Sequence, residues 1–272
     1  MMSTEGSNCS NAVKNKHSTV KVYTGRRALT QIMEWPYENK YDFNLWISRY
    51  NNELYMTGVL SYLNNTCSHH DRLQQLLFSD SPDEIPNIDD IPNRTMGQSV
   101  LHQSKIGKYT LLYAGEAQGI ISDKKIENFD DIDALDKCRF VFTKQLWKNL
   151  NPWVKQRKLL KFWIQSYLSN VDDLYVAYKN DDGNVTLPIE YIKVSTIPQE
   201  QFWKPSVSFG FLHYFLEQVE QAMSNVNCLD TVYEFTFKAR DKTTSYKIYE
   251  GKSEKSFIPK KYSDFVNKEN QI

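Results

Sequence analysis

KLLKFWIQSYLSNVDDLYVAYKNDDGNV, residues 158–185, changes its hydrophobic period from helical to extended within one short stretch. Leu159, Phe162, Trp163 and Tyr167 recur at helical spacing, with Leu160, Ile164 and Leu168 beside them, which predicts a wide-faced, buried helix over 153–168. Lys158, Lys161 and Gln165 stand at i, i+3 and i+7, so this polar stripe can face one groove. After the helix, Leu174 to Tyr178 and Val185 to Val194 read as strands. Between them Asn180-Asp181-Asp182-Gly183 supplies the Asp-Gly step and the positive φ of a tight turn.

Outward from this stretch the same reading gives a short helix at 28–33, stopped by Trp35-Pro36. A hairpin of alternating residues over 43–48 and 54–62 turns at Asn51-Asn52. A helix over 69–78 precedes a loop over 79–95 that holds three prolines and five acids. Strands follow at 97–104 and 109–118, a long helix at 206–225, and a last hairpin at 231–238 and 243–250. Hairpins interleaved with long helices predict a mixed α/β sheet packed by helices, without a regular βαβ series. Charge is unevenly placed. Six acids crowd 122–136, whereas 137–171 has none and carries eight lysines and arginines. That stretch is either a solvated face balanced by the acids or a channel for a phosphorylated strand, with Trp147, Trp153 or Trp163 stacking on bases.

Composition narrows the classes. In 272 residues, 33 basic side chains cancel 33 acidic ones, so there is no global attraction to nucleic acid. Cys9, Cys67, Cys138 and Cys228 lack zinc or dithiol spacing and read as plain thiols. No signal-like or membrane-spanning apolar run occurs, which excludes a membrane partner and predicts an intracellular protein. Residues 1–17 read as a disordered leader, 18–258 as a single domain and 259–272 as a polar, Lys-rich tail. Phosphate-loop and zincin motifs are absent. His69-His70 at a helix start point in different directions and make a poor metal pair, and His213 reads as a satisfied core histidine.

The 158–185 run, followed by FWKPSVSFGFLHYFL (202–216), resembles the decapping exoribonuclease (DXO) family. Members of that family carry a K-L-L-K-W-W-x-Q-S-F-L helix, a G-x-R-x-x-D-G hairpin and a W-x-P-S-V-x-x-x-F helix. GRRALTQIMEWPYENKYDF (25–43) is similar to the family's R-G-x-L-T…PYE segment. The resemblance implies two β-sheets packed with helices around a central cleft for the RNA 5′ end. It also implies acids that hold Mg²⁺ or Mn²⁺ there for cap hydrolysis and 5′-to-3′ degradation.

Carried over position by position, those acids are mostly lost. The family glutamate after G-Φ-x-Φ falls on Leu101. Its E-x-D falls on Glu116 and Gln118, which leaves Glu116 as the one retained acid and doubtful metal ligand. Its E-Φ-K falls on Val141 and Thr143, or, shifted by one residue, recovers Lys144 without an acid. Arg26 and Gln165 remain from the family's RNA-end cleft, and with Lys158 and Lys161 they form the expected RNA-binding set. One carboxylate and one amide do not neutralise two divalent ions, so no cofactor is expected. Thr231-Val232-Tyr233-Glu234-Phe235 is similar to a segment of the family's catalytically degenerate, Cutoff-like branch. The resemblance implies a family member with little or no catalysis, a pseudoenzyme, nuclear ahead of cytoplasmic, that binds RNA 5′ ends, as single strands, or a family partner. Two alternatives stay open: an active Mg²⁺- or Mn²⁺-dependent nuclease drawing acids from Asp123, Asp130 or Asp133, and a scaffold for a 5′-to-3′ exonuclease or nuclear complex that does not touch RNA.

Overall fold

The computed structural model describes residues 19–58, 68–89, 98–126, 128, 131–199 and 201–269. Chain turns are set by residues that tolerate positive φ. Asn51 and Asn52, at φ 49° and 63°, close the antiparallel hairpin of β2 (Phe43–Tyr50) and β3 (Glu53–Gly58). Gly107, at φ 55°, closes the hairpin of β4 (Gln98–Ile106) and β5 (Tyr109–Ala117). β1 (Val20–Gly25) lies between β3 and β5 and is parallel to both. With β10 (Cys228–Lys238) and β11 (Thr243–Tyr249) these strands form a seven-stranded sheet in the order β11-β10-β2-β3-β1-β5-β4.

The chain leaves that sheet at Gln118 and enters a second one through β6 (Gly119–Ile121). β7 (Arg139–Trp147), β8 (Asp173–Lys179) and β9 (Glu190–Lys193) complete it in the order β6-β7-β8-β9. Helices α1 (Arg26–Glu34), α4 (Pro152–Tyr167) and α5 (Pro205–Ala222) supply buried apolar faces to one continuous core with both sheets. That core contains Leu29, Ile32, Leu45, Phe142, Trp163, Leu174, Trp203, Phe215 and Phe237. Two further helices, α2 (His69–Leu77) and α3 (Ile132–Asp136), precede β7, and α6 (Lys260–Glu269) follows the last hairpin. No helix among the described residues is long and apolar enough to cross a membrane.

The mixed α/β architecture with two sheets is as expected, and the differences have physical causes. β7 falls inside the acid-free stretch, where Val141, Phe142, Thr143 and Lys144 are all buried, so no polar alternation marks a strand. β1 lies between parallel neighbours, and its alternation, with Val20 and Val22 buried and Lys21 exposed, runs over too few residues to mark a strand. The second arm of the 180–183 turn is not a long strand: Val185 makes a single bridge and pairing resumes only at β9. Residues 260–269, read as tail, are helical. His213 is partly exposed at the surface, edge-on to Tyr109, and not in the core. The second strand of the first hairpin ends at Gly58, and the remainder of the expected strand lies outside the described residues.

Candidate functional site

Because β1 runs directly into α1, Arg26 stands at the carboxyl end of a parallel strand, beside the end of β5. Its side chain passes under Gly115, where a Cβ would lie 3.2 Å from Arg26 Cδ. Arg26 Nη1 donates to the Glu116 backbone carbonyl at 3.0 Å and to Ser169 Oγ at 2.5 Å. Arg26 is only 9% exposed, and these bonds tie α1, β5 and the end of α4 together. Burial pulls its pKa down, against the upward pull of the Glu116 carboxylate.

On β7 successive side chains point to opposite sides, and this decides which register of the lost E-Φ-K motif faces the site. Phe142 and Lys144 point to Arg26 and α4. Lys144 Nζ donates to Gln165 Oε1 at 2.9 Å. The Phe142 ring receives both cations, with Arg26 Cζ 5.1 Å and Lys144 Nζ 4.9 Å from its centroid, and Phe162 lies 5.6 Å from Lys144 Nζ. Lys144 is 8% exposed. Burial first, then the Arg26 charge, push its pKa down to about 7, with Glu116 opposing and Lys161 adding to the shift. His102, half-buried on β4 and stacked on Tyr113, is likewise held low by burial and by Arg26.

Val141 and Thr143 point the other way and are buried. Gln118 Oε1 accepts the Thr143 backbone N–H at 2.7 Å, and His70 Nε2 meets the Thr143 carbonyl at 3.0 Å. Gln118 therefore pairs with the β7 backbone beyond the point where the short β6 stops. His69 turns instead to Lys179 Nζ, 3.2 Å from its Nδ1, so the two histidines do diverge.

Glu116 is exposed, on the same face of the β4–β5 hairpin as Leu101, which pairs with Ala114 and is 82% exposed. Lys158 and Lys161 are exposed on α4, and both lie close enough to half-buried Glu34 of α1 to act on its charge. Burial raises the Glu34 carboxyl to about 7, with Lys161 the main opposing influence. The structure thus gathers Arg26, Lys144, Gln165 and the backbone of Glu116, with Lys161 near enough to act on Lys144; Lys158 faces Glu34 instead. Trp163 is core, whereas Trp147 and Trp153 are exposed.

The residue missed from sequence is Phe142. Only the register shift that recovers Lys144 pointed to it, because a phenylalanine in a strand looks like ordinary core. Among the described residues, which exclude Asp130, no three His, Cys, Asp or Glu side chains converge on one point. A ring and two buried cations beside a single carboxylate do not suit a divalent ion, which needs several oxygen ligands and surplus negative charge.

Comparison with known proteins places these observations in a family. The RAI1-like PD-(D/E)XK nuclease family model matches residues 5–263. The decapping and exoribonuclease protein Rai1 of Drosophila melanogaster is 26% identical over 260 residues, covering 89% of this chain and 68% of the relative. Protein cutoff of the same fly is 31% identical over 109 residues, covering 39% of this chain and 28% of its own length. The human decapping and exoribonuclease protein is 24% identical over 218 residues, or 72% of this chain, which spans 52% of the human protein. The chain is thus matched to only about half the length of the human relative. Among solved structures, Scheffersomyces stipitis Rai1 superposes with a TM-score of 0.74 at 15% identity, covering 92% of this chain and 75% of that one. Candida albicans Rai1 in complex with pU5-Mn²⁺ gives 0.63 at 14% identity, covering 85% and 68%. With the family match running through almost the whole sequence, and the fold shared with its solved members, the chain belongs to the RAI1-like PD-(D/E)XK nuclease family.

Proposed function

We propose that this chain binds the 5′ end of single-stranded RNA in the Arg26–Phe142–Lys144–Gln165 seat, acts in the nucleus, and carries out little or no hydrolysis. The observation that carries this reading is Phe142, whose ring lies against both buried cations; in the register that recovers Lys144, Phe142 takes the place of the family motif's acid. A carboxylate there would neutralise the pair and recruit a metal. The ring leaves net positive charge in a largely dehydrated site, where an anion interacts more strongly than in water. Burial first, and that same charge second, lower the Lys144 pKa to about 7, so an approaching phosphate draws a proton onto it and gains a charge-assisted hydrogen bond. The relative solved with pU5 supports RNA as the ligand class.

The test is fluorescence anisotropy with a 5′-monophosphorylated oligoribonucleotide in the presence of a chelator. Lys144→Met is expected to weaken binding by about tenfold or more, the scale of one buried charged hydrogen bond. Wild-type protein without affinity at low salt would leave the protein-scaffold reading in its place.

A further inference from the structure

Helix α5 is apolar on two opposite sides. Its inner side carries Leu212, Phe215, Leu216 and Val219, all buried. Its outer side carries Val207, Gly210, Phe211 and Tyr214, at i, i+3, i+4 and i+7, which places them in one stripe. Val207 is 42% and Tyr214 55% exposed, Phe211 is half-buried at the edge of the stripe, one side of its ring packed on the core and the rest open, and nothing lies within 4 Å of a Cβ built on Gly210. The stripe is bounded by charge of opposite sign. Lys204 is exposed at the N-terminal end, Glu217 is exposed near the other, and the residues between them carry no Lys, Arg, Asp or Glu.

The order along the stripe is self-complementary. A second copy running antiparallel, with the two-fold axis between Gly210 and Phe211, sets the Phe211 ring over the open Gly210 of its partner. The same register sets Val207 against Tyr214 and Lys204 against Glu217. Small meets large and positive meets negative at every step, as an isologous interface requires. A parallel pairing would set like on like. Glu217 Oε2 lies 3.6 Å from His213 Nδ1 on its own helix, and its second oxygen remains available to a lysine. We propose that the outer face of α5 is a homodimer interface in which two copies of this chain pair their α5 helices antiparallel, each Phe211 seated on the other's Gly210.

Sedimentation velocity of the full chain across a wide concentration series tests this. A monomer–dimer equilibrium is expected. Gly210→Leu fills space that is open in a single copy, so circular dichroism should match wild type and melting, at concentrations where both are monomeric, should be no lower, while dimerisation weakens by about tenfold or more. Lys204→Glu and Glu217→Lys should each weaken the dimer, and the two together should restore it. A wild type that stays monomeric throughout, a dimer indifferent to Gly210→Leu, or a double variant no better than either single one would each overturn the proposal.

Discussion

Two residues of opposite charge type titrate near neutrality, and their effects on stability have opposite signs. Glu34 is raised from the ordinary carboxylate range to about 7, so between about pH 4.5 and 7 the folded state holds a proton that the unfolded state has lost, and stability falls as pH rises. Lys144 is lowered to about 7, so between about pH 7 and 10.5 the unfolded state binds the extra proton, and stability rises with pH. Together they contribute a minimum near neutrality. Chemical denaturation from pH 5 to 9 should show the acid limb flattened in Glu34→Gln and the alkaline limb flattened in Lys144→Met. Unchanged profiles in both variants would show that neither group is buried as described. Neither role was legible in the sequence, because Glu34 ends a short helix and Lys144 was one of eight cations in a run. What the residues could not reveal was which side of β7 faces the site; that depended on register, and a one-residue shift exchanges Thr143 for Lys144.

At the level of elements, β7 depends on side chains from outside its own sheet. β6 pairs only with Arg139, Phe140 and Val141, and beyond it Gln118 and His70 take over the N–H and carbonyl of Thr143. Gln118→Ala leaves a buried N–H without its acceptor and should cost about 1–3 kcal/mol in urea unfolding. A loss within error of zero would mean that water takes the amide's place. The hairpin at Asn51-Asn52, the turn at Asn180–Gly183, α4, α5 and the last hairpin were legible because their periods and turn residues agree locally. β7 was not, since a strand buried on both faces loses the alternation that marks a strand, and β1 was not because it alternates, Val20 and Val22 in and Lys21 out, over too few residues. Helix α6 was hidden by a lysine-rich composition that reads equally well as tail.

For the whole molecule, the two sheets meet where the chain crosses from β5 to β6, and the Arg26–Phe142–Lys144 seat lies at this junction. Family membership and fold were legible in the 158–216 stretch together with 25–43, because a buried helix, a turn and a second helix keep their motif residues for packing reasons. Catalytic state is a matter of a few side chains, and on the proposed reading Leu101, Gln118 and either Val141 or, in the shifted register, Phe142 stand where the family's carboxylates fall. The central claim is that binding has outlived hydrolysis and no longer needs a divalent ion. The most direct measurement follows a 5′-monophosphorylated single-stranded RNA with purified protein in chelator and then in Mn²⁺, reading affinity and strand length together. The account predicts the same affinity in both conditions and an unshortened strand. Shortening in Mn²⁺ that Glu116→Ala abolishes, or binding that appears only with the metal, would contradict it.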